Sequence, residues 1–110
     1  MMLNEYQKGA LKTAVYPRVG TGEVVYPSLG LAGEAGEVAN KVKKVLRDYG
    51  GHLTPEMKSA ILQELGDCLW YIAQISSEMA VDLDEVAKMN LDKLQSRSER
   101  EQLRGSGDGR

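Results

Sequence analysis

The chain has 110 residues, a length that suits one compact domain. Hydrophobic residues make up 42%, but Phe is absent and aromatics reach only 5%, so Leu, Val, Ile and Ala must fill any core. Fourteen Lys and Arg against sixteen Asp and Glu give a formal charge of −2, which argues against a dedicated nucleic-acid-binding domain and leaves room for a small anionic ligand held by local cations.

The N-terminus, MMLNEYQKGA, lacks the apolar run of a secretory signal, and no later run is long enough to span a membrane. A cytoplasmic chain with no membrane partner is expected. The first helix is predicted from about Asn4 to Ala14, with Tyr6, Ala10, Leu11 and Ala14 on one side. It should end before Tyr16-Pro17, because proline disfavours helix in the residue ahead of it. Pro17 to Pro27 holds Gly20, Gly22 and two prolines and reads as a loop. Ser28 is the expected N-cap of a second helix that runs to about Tyr49 and stops at Gly50-Gly51. The single histidine, His52, sits in this loop, so triads that need histidine have nothing to build on.

Thr54 can cap a third helix, with Pro55 at its first position, running to about Ala80. It carries Cys68, whose solitude rules out an intrachain disulfide and whose apolar face suggests a buried, inert thiol. Trp70 lies off the main stripe and is expected to be an oligomer contact. Asp82-Leu83-Asp84-Glu85 has the D-x-x-E form of a capping-box start. The fourth helix places Leu83, Val86, Ala87, Leu91 and Leu94 on one stripe, then fades after Ser96. The class is all-α: an antiparallel bundle of about four helices over residues 1–104, followed by a flexible Gly-rich tail, 105–110. A bundle this small gains from completion by oligomerisation.

The chemistry lies in LGLAGEAGEVANKVKK and ELGDCLWY. On a helical wheel the apolar residues of the second helix fill an arc of about 120°, with Glu34 and Glu37 at one edge and Lys41 and Lys44 beside them. The third helix repeats the layout with Glu64 and Asp67. The short Gly50-to-Thr54 connection favours an antiparallel hairpin, which sets Glu37 level with Glu64 and Glu34 level with Asp67. Four carboxylates so close would repel one another, and a divalent cation relieves this; all-oxygen ligation suits Mg²⁺ or Mn²⁺. A solvated helix edge is the bland alternative. A di-iron carboxylate bundle needs E-x-x-H pairs, and no predicted helix holds a histidine. Asn90, Lys93 and Arg97 share one face of the fourth helix at the start of a cation-rich end. Acids with cations nearby suit a metal-chelated polyanion, and a triphosphate fits. Tyr16, Tyr26, Trp70 and Tyr71 are each candidates to stack on a base or to pack.

GEAGEVANKVKK, ELGDCLWYIAQ and MNLDKLQSRSER, in this order, resemble the MazG-like family of all-α nucleoside triphosphate pyrophosphohydrolases. The family pattern is E-x-x-E, a variable gap, here 26 residues, then E-x-x-D. TAVYP, RDYGG and GSGDGR also look like one branch of small single-domain members, although the ending Asp108-Gly109-Arg110 departs slightly, since related sequences often have Asn before the final Arg. The resemblance implies Mg²⁺-dependent cleavage of nucleoside triphosphates, often deoxy or damaged ones, to monophosphate and pyrophosphate. It implies dimers or tetramers. Carried over by position, Glu34, Glu37, Glu64 and Asp67 are metal ligands, and Lys41 and Lys44 lie near the phosphates. Asn90, Lys93 and Arg97 match the N-x-x-K-L-x-x-R stretch that contacts substrate. Water is the nucleophile, and Glu37, with Glu34 beside it, is the candidate to activate it. Two alternatives stand beside this reading: a non-catalytic helical interaction module, and a phosphoribosyl-ATP pyrophosphohydrolase.

Overall fold

The computed structural model describes residues 1–100 and Gly107. It contains α1 (Leu3–Leu11), α2 (Val25–Tyr49), α3 (Pro55–Glu78) and α4 (Leu83–Glu99), with no strand among the described residues. The all-α expectation holds. The tail expected at 105–110 lies outside the described residues apart from Gly107.

Three helix ends differ from expectation. α2 begins at Val25, so the loop is shorter than predicted and Ser28 does not cap the helix. The Ser28 N–H makes a helical bond to the Val24 carbonyl at 3.0 Å. Pro27 fits inside the first turn because an N–H there would have no intrahelical partner. α1 ends at Leu11, and the chain to Ala14 tightens into i→i−3 bonds. α3 ends at Glu78, where Ala80 takes the left-handed conformation (φ 57°). The Val81 N–H bonds Ser76 and the Ala80 N–H bonds Ser77, the paired bonds of a Schellman ending. Thr54 does cap α3, accepting from the Met57 N–H at 3.2 Å, with Pro55 at the first position.

α2 and α3 form the hairpin that dominates the fold; α1 lies against α3, and α4 lies against α1 and α3. The α4 start is held from α1. Asp82 makes no side-chain cap. Instead Gln7 Oε1 accepts the Leu83 N–H at 2.8 Å and Asn4 Oδ1 accepts the Asp84 N–H at 3.0 Å. Gln7 Nε2 donates to Ser77 Oγ and to the Val81 carbonyl, so one buried amide joins α1, the end of α3 and the start of α4. Around it sits a small core of Ala10, Ala73 and Leu83, with Tyr6, Trp70 and Ile72 packed against it.

The hairpin leaves much of its apolar stripe uncovered. Leu46 is 71% exposed, Leu62 53% and Leu65 47%. The accessible surface is 7816 Å², against about 6,000 Å² for a compact monomer of this mass. Cys68 is accordingly half-buried rather than buried. Trp70 packs within the chain, donating Nε1–H to Thr13 Oγ1 at 2.9 Å, so it serves as a packing residue between α1 and α3.

Candidate active site

The hairpin brings Glu34 of α2 together with Glu64 and Asp67 of α3: one carboxylate oxygen from each lies within 4.8 Å of the others. Glu34 and Glu64 are half-buried and Asp67 is exposed. The Glu34 carboxyl is held above the usual carboxylate range, first by the hydrogen bond it shares with Glu64, then by burial and by the charges of Asp67, Glu64 and Glu37. Like charges crowded on a half-buried edge make ionisation of all three costly. A hard divalent cation offsets that cost, and an all-oxygen donor set fits Mg²⁺ or Mn²⁺.

Glu37 stands outside this trio. It is exposed, one turn further along α2, and reaches Glu34 only through its charge. Lys41 bridges the helices, its Nζ 3.6 Å from Glu64 Oε1. Lys41 and Lys44 line a cavity of about 220 Å³ with Val45, Tyr49, Met57 and Ile61, on the C-terminal side of the acids along α2.

Asn90 and Lys93 lie on the other side. They edge a largely apolar groove of about 610 Å³ that includes Leu31, Ile72, Ile75 and Met89. Leu31 precedes Glu34 by three residues, so the groove opens about one helical turn from the carboxylates. Arg97 is buried, and its Nη2 donates to the Gly107 carbonyl at 3.5 Å.

The four aromatics form a connected wall. Tyr16 stacks on Tyr26 with ring centroids 5.3 Å apart and planes 4° from parallel. Trp70 meets Tyr16 and Tyr71 edge-on, at 6.3 and 5.0 Å. Tyr71 packs against α2 at Gly30, where an added Cβ would lie 2.3 Å from ring atoms. Burial raises the Tyr71 phenol, and the Tyr26, Glu34 and Asp67 charges raise it further, so this wall adjoins the acids. Tyr6 of α1 also senses Asp67: burial raises it first, then that charge.

Sequence reasoning missed three elements: the Gly30–Tyr71 contact, the hydrogen bonds that Glu78 at the end of α3 accepts from Tyr16, Gly20 and Gly22 in the α1–α2 loop, and the reach of α1 to Asp67. The first had a signal, because the register that levels Glu34 with Asp67 also levels Gly30 with Tyr71.

Residues 28–101 match the family model of the MazG nucleotide pyrophosphohydrolase domain. The chain is also similar to the Gene 37 protein of Mycobacterium phage L5, 46% identical over 114 residues that cover all of both chains. No solved structure matches. Among the described residues, no helix is long and apolar enough to cross a membrane.

Proposed function

The chain belongs to the family of the MazG nucleotide pyrophosphohydrolase domain, whose model spans well over half of it, and from that premise we propose that it hydrolyses nucleoside triphosphates, deoxy and non-canonical ones included, to the monophosphate and pyrophosphate with Mg²⁺. The observation that carries this reading is the Glu34–Glu64–Asp67 cluster across the hairpin.

Glu34, Glu64 and Asp67 would hold the cation, with Glu37 one turn further along as the fourth acid. Bound there, such a cation would supply charge neutralisation for the phosphates and Lewis acidity toward the attacking water. Glu37, outside the crowded trio, orients the attacking water and takes its proton; Glu34 is the second acid in reach. The water oxygen joins phosphorus, the anhydride bond to the terminal two phosphates breaks, and pyrophosphate leaves. Lys41 and Lys44 stabilise the charge on that leaving group. Asn90, Lys93 and Arg97 lie on the nucleoside side. The uncovered hairpin stripe supports assembly into a homodimer or homotetramer, and the chemistry suits a cytoplasmic nucleotide-pool enzyme with no nucleic-acid polymer as partner.

The test is a panel of nucleoside triphosphates with Mg²⁺, scored for pyrophosphate and monophosphate together. Release that is lost in Glu37→Gln and Asp67→Asn supports the reading. No release across the panel, or full activity in both variants, overturns it. Turnover of phosphoribosyl-ATP alone would move the substrate class.

A further inference from the structure

The loop between α1 and α2 is tied to one side chain. Glu78, at the end of α3, accepts three hydrogen bonds from it: from Tyr16 Oη at 2.6 Å, from the Gly20 N–H at 2.9 Å and from the Gly22 N–H at 3.0 Å. The same loop holds Arg18 at a left-handed φ of 65° and ion-pairs it with Glu23. Nothing in the acid cluster uses Glu78, yet it fixes Tyr16, and Tyr16 is the ring on which Tyr26 stacks. Tyr16 is buried, Trp70 half-buried and Tyr71 wedged against Gly30; Tyr26 is the member of the wall left 45% exposed.

The placement along α2 gives the wall a direction. Tyr26 precedes Glu34 by eight residues, about 12 Å along the helix axis. Lys41 and Lys44 follow Glu34 on the opposite side. A polyphosphate drawn toward the lysines would send its nucleoside toward the tyrosines, with a phosphate and a ribose spanning the interval.

Resting on the triphosphate reading above, we propose that Tyr26 is the platform on which the substrate base stacks, and that Glu78 is the positioning residue that sets it, acting through Tyr16. The carboxylate suits this task because all three donors on the loop need an acceptor. A glutamine there would turn its amide N–H groups toward at least one of them. The arrangement recognises an aromatic base by its face, so it binds nucleotides over base-free polyphosphates and accepts purines and pyrimidines alike.

The experiment uses the full chain and the best substrate of the panel. KM and kcat are measured for wild type, Tyr26→Ala, Tyr26→Phe, Tyr16→Phe and Glu78→Gln, each with its circular dichroism, alongside inhibition by Mg²⁺-tripolyphosphate, a base-free competitor. Tyr26→Ala is expected to raise KM about tenfold, in line with the loss of one base–aromatic stack. Tyr26→Phe should restore it, and Glu78→Gln should raise KM by about half that factor on a logarithmic scale. kcat and tripolyphosphate inhibition should stay near wild type. An unchanged KM in Tyr26→Ala, or a tripolyphosphate constant that rises in step with KM, overturns the proposal. So does a KM increase on Asn90→Ala or Met89→Ala in place of Tyr26→Ala, which would put the base in the neighbouring groove. Trp70, the sole tryptophan, stands edge-on to this wall and reports binding without turnover. A wild type that releases no pyrophosphate sinks the catalytic reading alone if nucleotide still quenches Trp70 and Tyr26→Ala abolishes the quench. No quench in wild type overturns the platform.

Discussion

Lys41 of α2 and Glu64 of α3 stand 3.6 Å apart, the ion pair that crosses the hairpin at the level of the acid cluster. One ammonium faces a group of three carboxylates, so the site keeps unbalanced negative charge. Mg²⁺ is therefore expected to raise the melting temperature of the wild type. Tenfold excess over the dissociation constant gives about 1.4 kcal/mol, several degrees for a chain this size. Asp67→Asn should melt slightly higher than wild type without metal and lose most of the Mg²⁺ response. Equal Mg²⁺ shifts in both proteins would show that the cluster holds no cation.

Gly30 and Gly33 sit one turn apart on α2 and should answer alanine in opposite ways. A Cβ at Gly30 would meet the Tyr71 ring at 2.3 Å, whereas one at Gly33 meets nothing within 4 Å. Gly30→Ala is expected to destabilise by about 1–3 kcal/mol, because the ring cannot withdraw without disturbing Trp70. Gly33→Ala should gain up to about 1 kcal/mol from helix propensity in the isolated chain. Urea unfolding of both variants separates the two effects, and equal effects would remove Tyr71 from Gly30.

The uncovered stripe predicts assembly. Leu46 and Leu62 are more than half exposed on the hairpin that carries the acids. Large apolar side chains left this exposed on packed helices point to an interface. Sedimentation equilibrium should show a dimer or larger species, and Leu46→Glu should shift it toward monomer. A wild type that sediments at 12.1 kDa would refute this.

The sequence made the hairpin legible because its signals are local and periodic. Register arithmetic levels Glu34 with Asp67 and Glu37 with Glu64; the structure brings Glu34, Glu64 and Asp67 together and leaves Glu37 outside. Boundaries set by distant partners were not legible. Asp82 has the form of a cap, but Asn4 and Gln7 supply the acceptors from about eighty residues away. Pro27 looks like loop punctuation, yet a first-turn proline costs a helix nothing. The aromatics were ambiguous for the same reason. Only contacts such as Tyr16 on Tyr26 distinguish a packed ring from an exposed one.

Gln7 makes that distant capping testable. Gln7→Ala removes the acceptor for Leu83 N–H and the donor to the Val81 carbonyl, both in a poorly hydrated setting. The Val81 carbonyl keeps the Ser76 hydroxyl as a donor, so the Leu83 N–H is the buried group left unpaired, and a loss of about 1–3 kcal/mol is expected. Hydrogen exchange at Leu83 should accelerate more than at Ala73. Uniform acceleration would mean that Gln7 supports the whole fold rather than the start of α4.

The Glu78–Tyr16 pair fixes the pH response of the loop. The Tyr16 hydroxyl first, then the Gly20 N–H, hold Glu78 below the usual carboxylate range, with Gly22 adding to this and burial opposing it. A depressed carboxyl contributes stability that is present above its unfolded value, about 4.3, and is lost as pH falls through the folded value. Tyr16 is pushed up, by burial first and then by Glu78. A raised phenol contributes below its unfolded value, about 10, and that contribution is lost as pH rises through the folded value. Both contributions are complete near neutrality. Glu78→Gln should therefore melt below wild type at about pH 7, and the gap should narrow as pH falls below about 4.3 and through the depressed range in which the wild-type carboxyl takes up its proton. Trp70 emission, read beside Tyr16, should change over the same acid range in wild type and stay flat in the variant. A gap that widens in acid would mean that Glu78 is not the acceptor holding this loop.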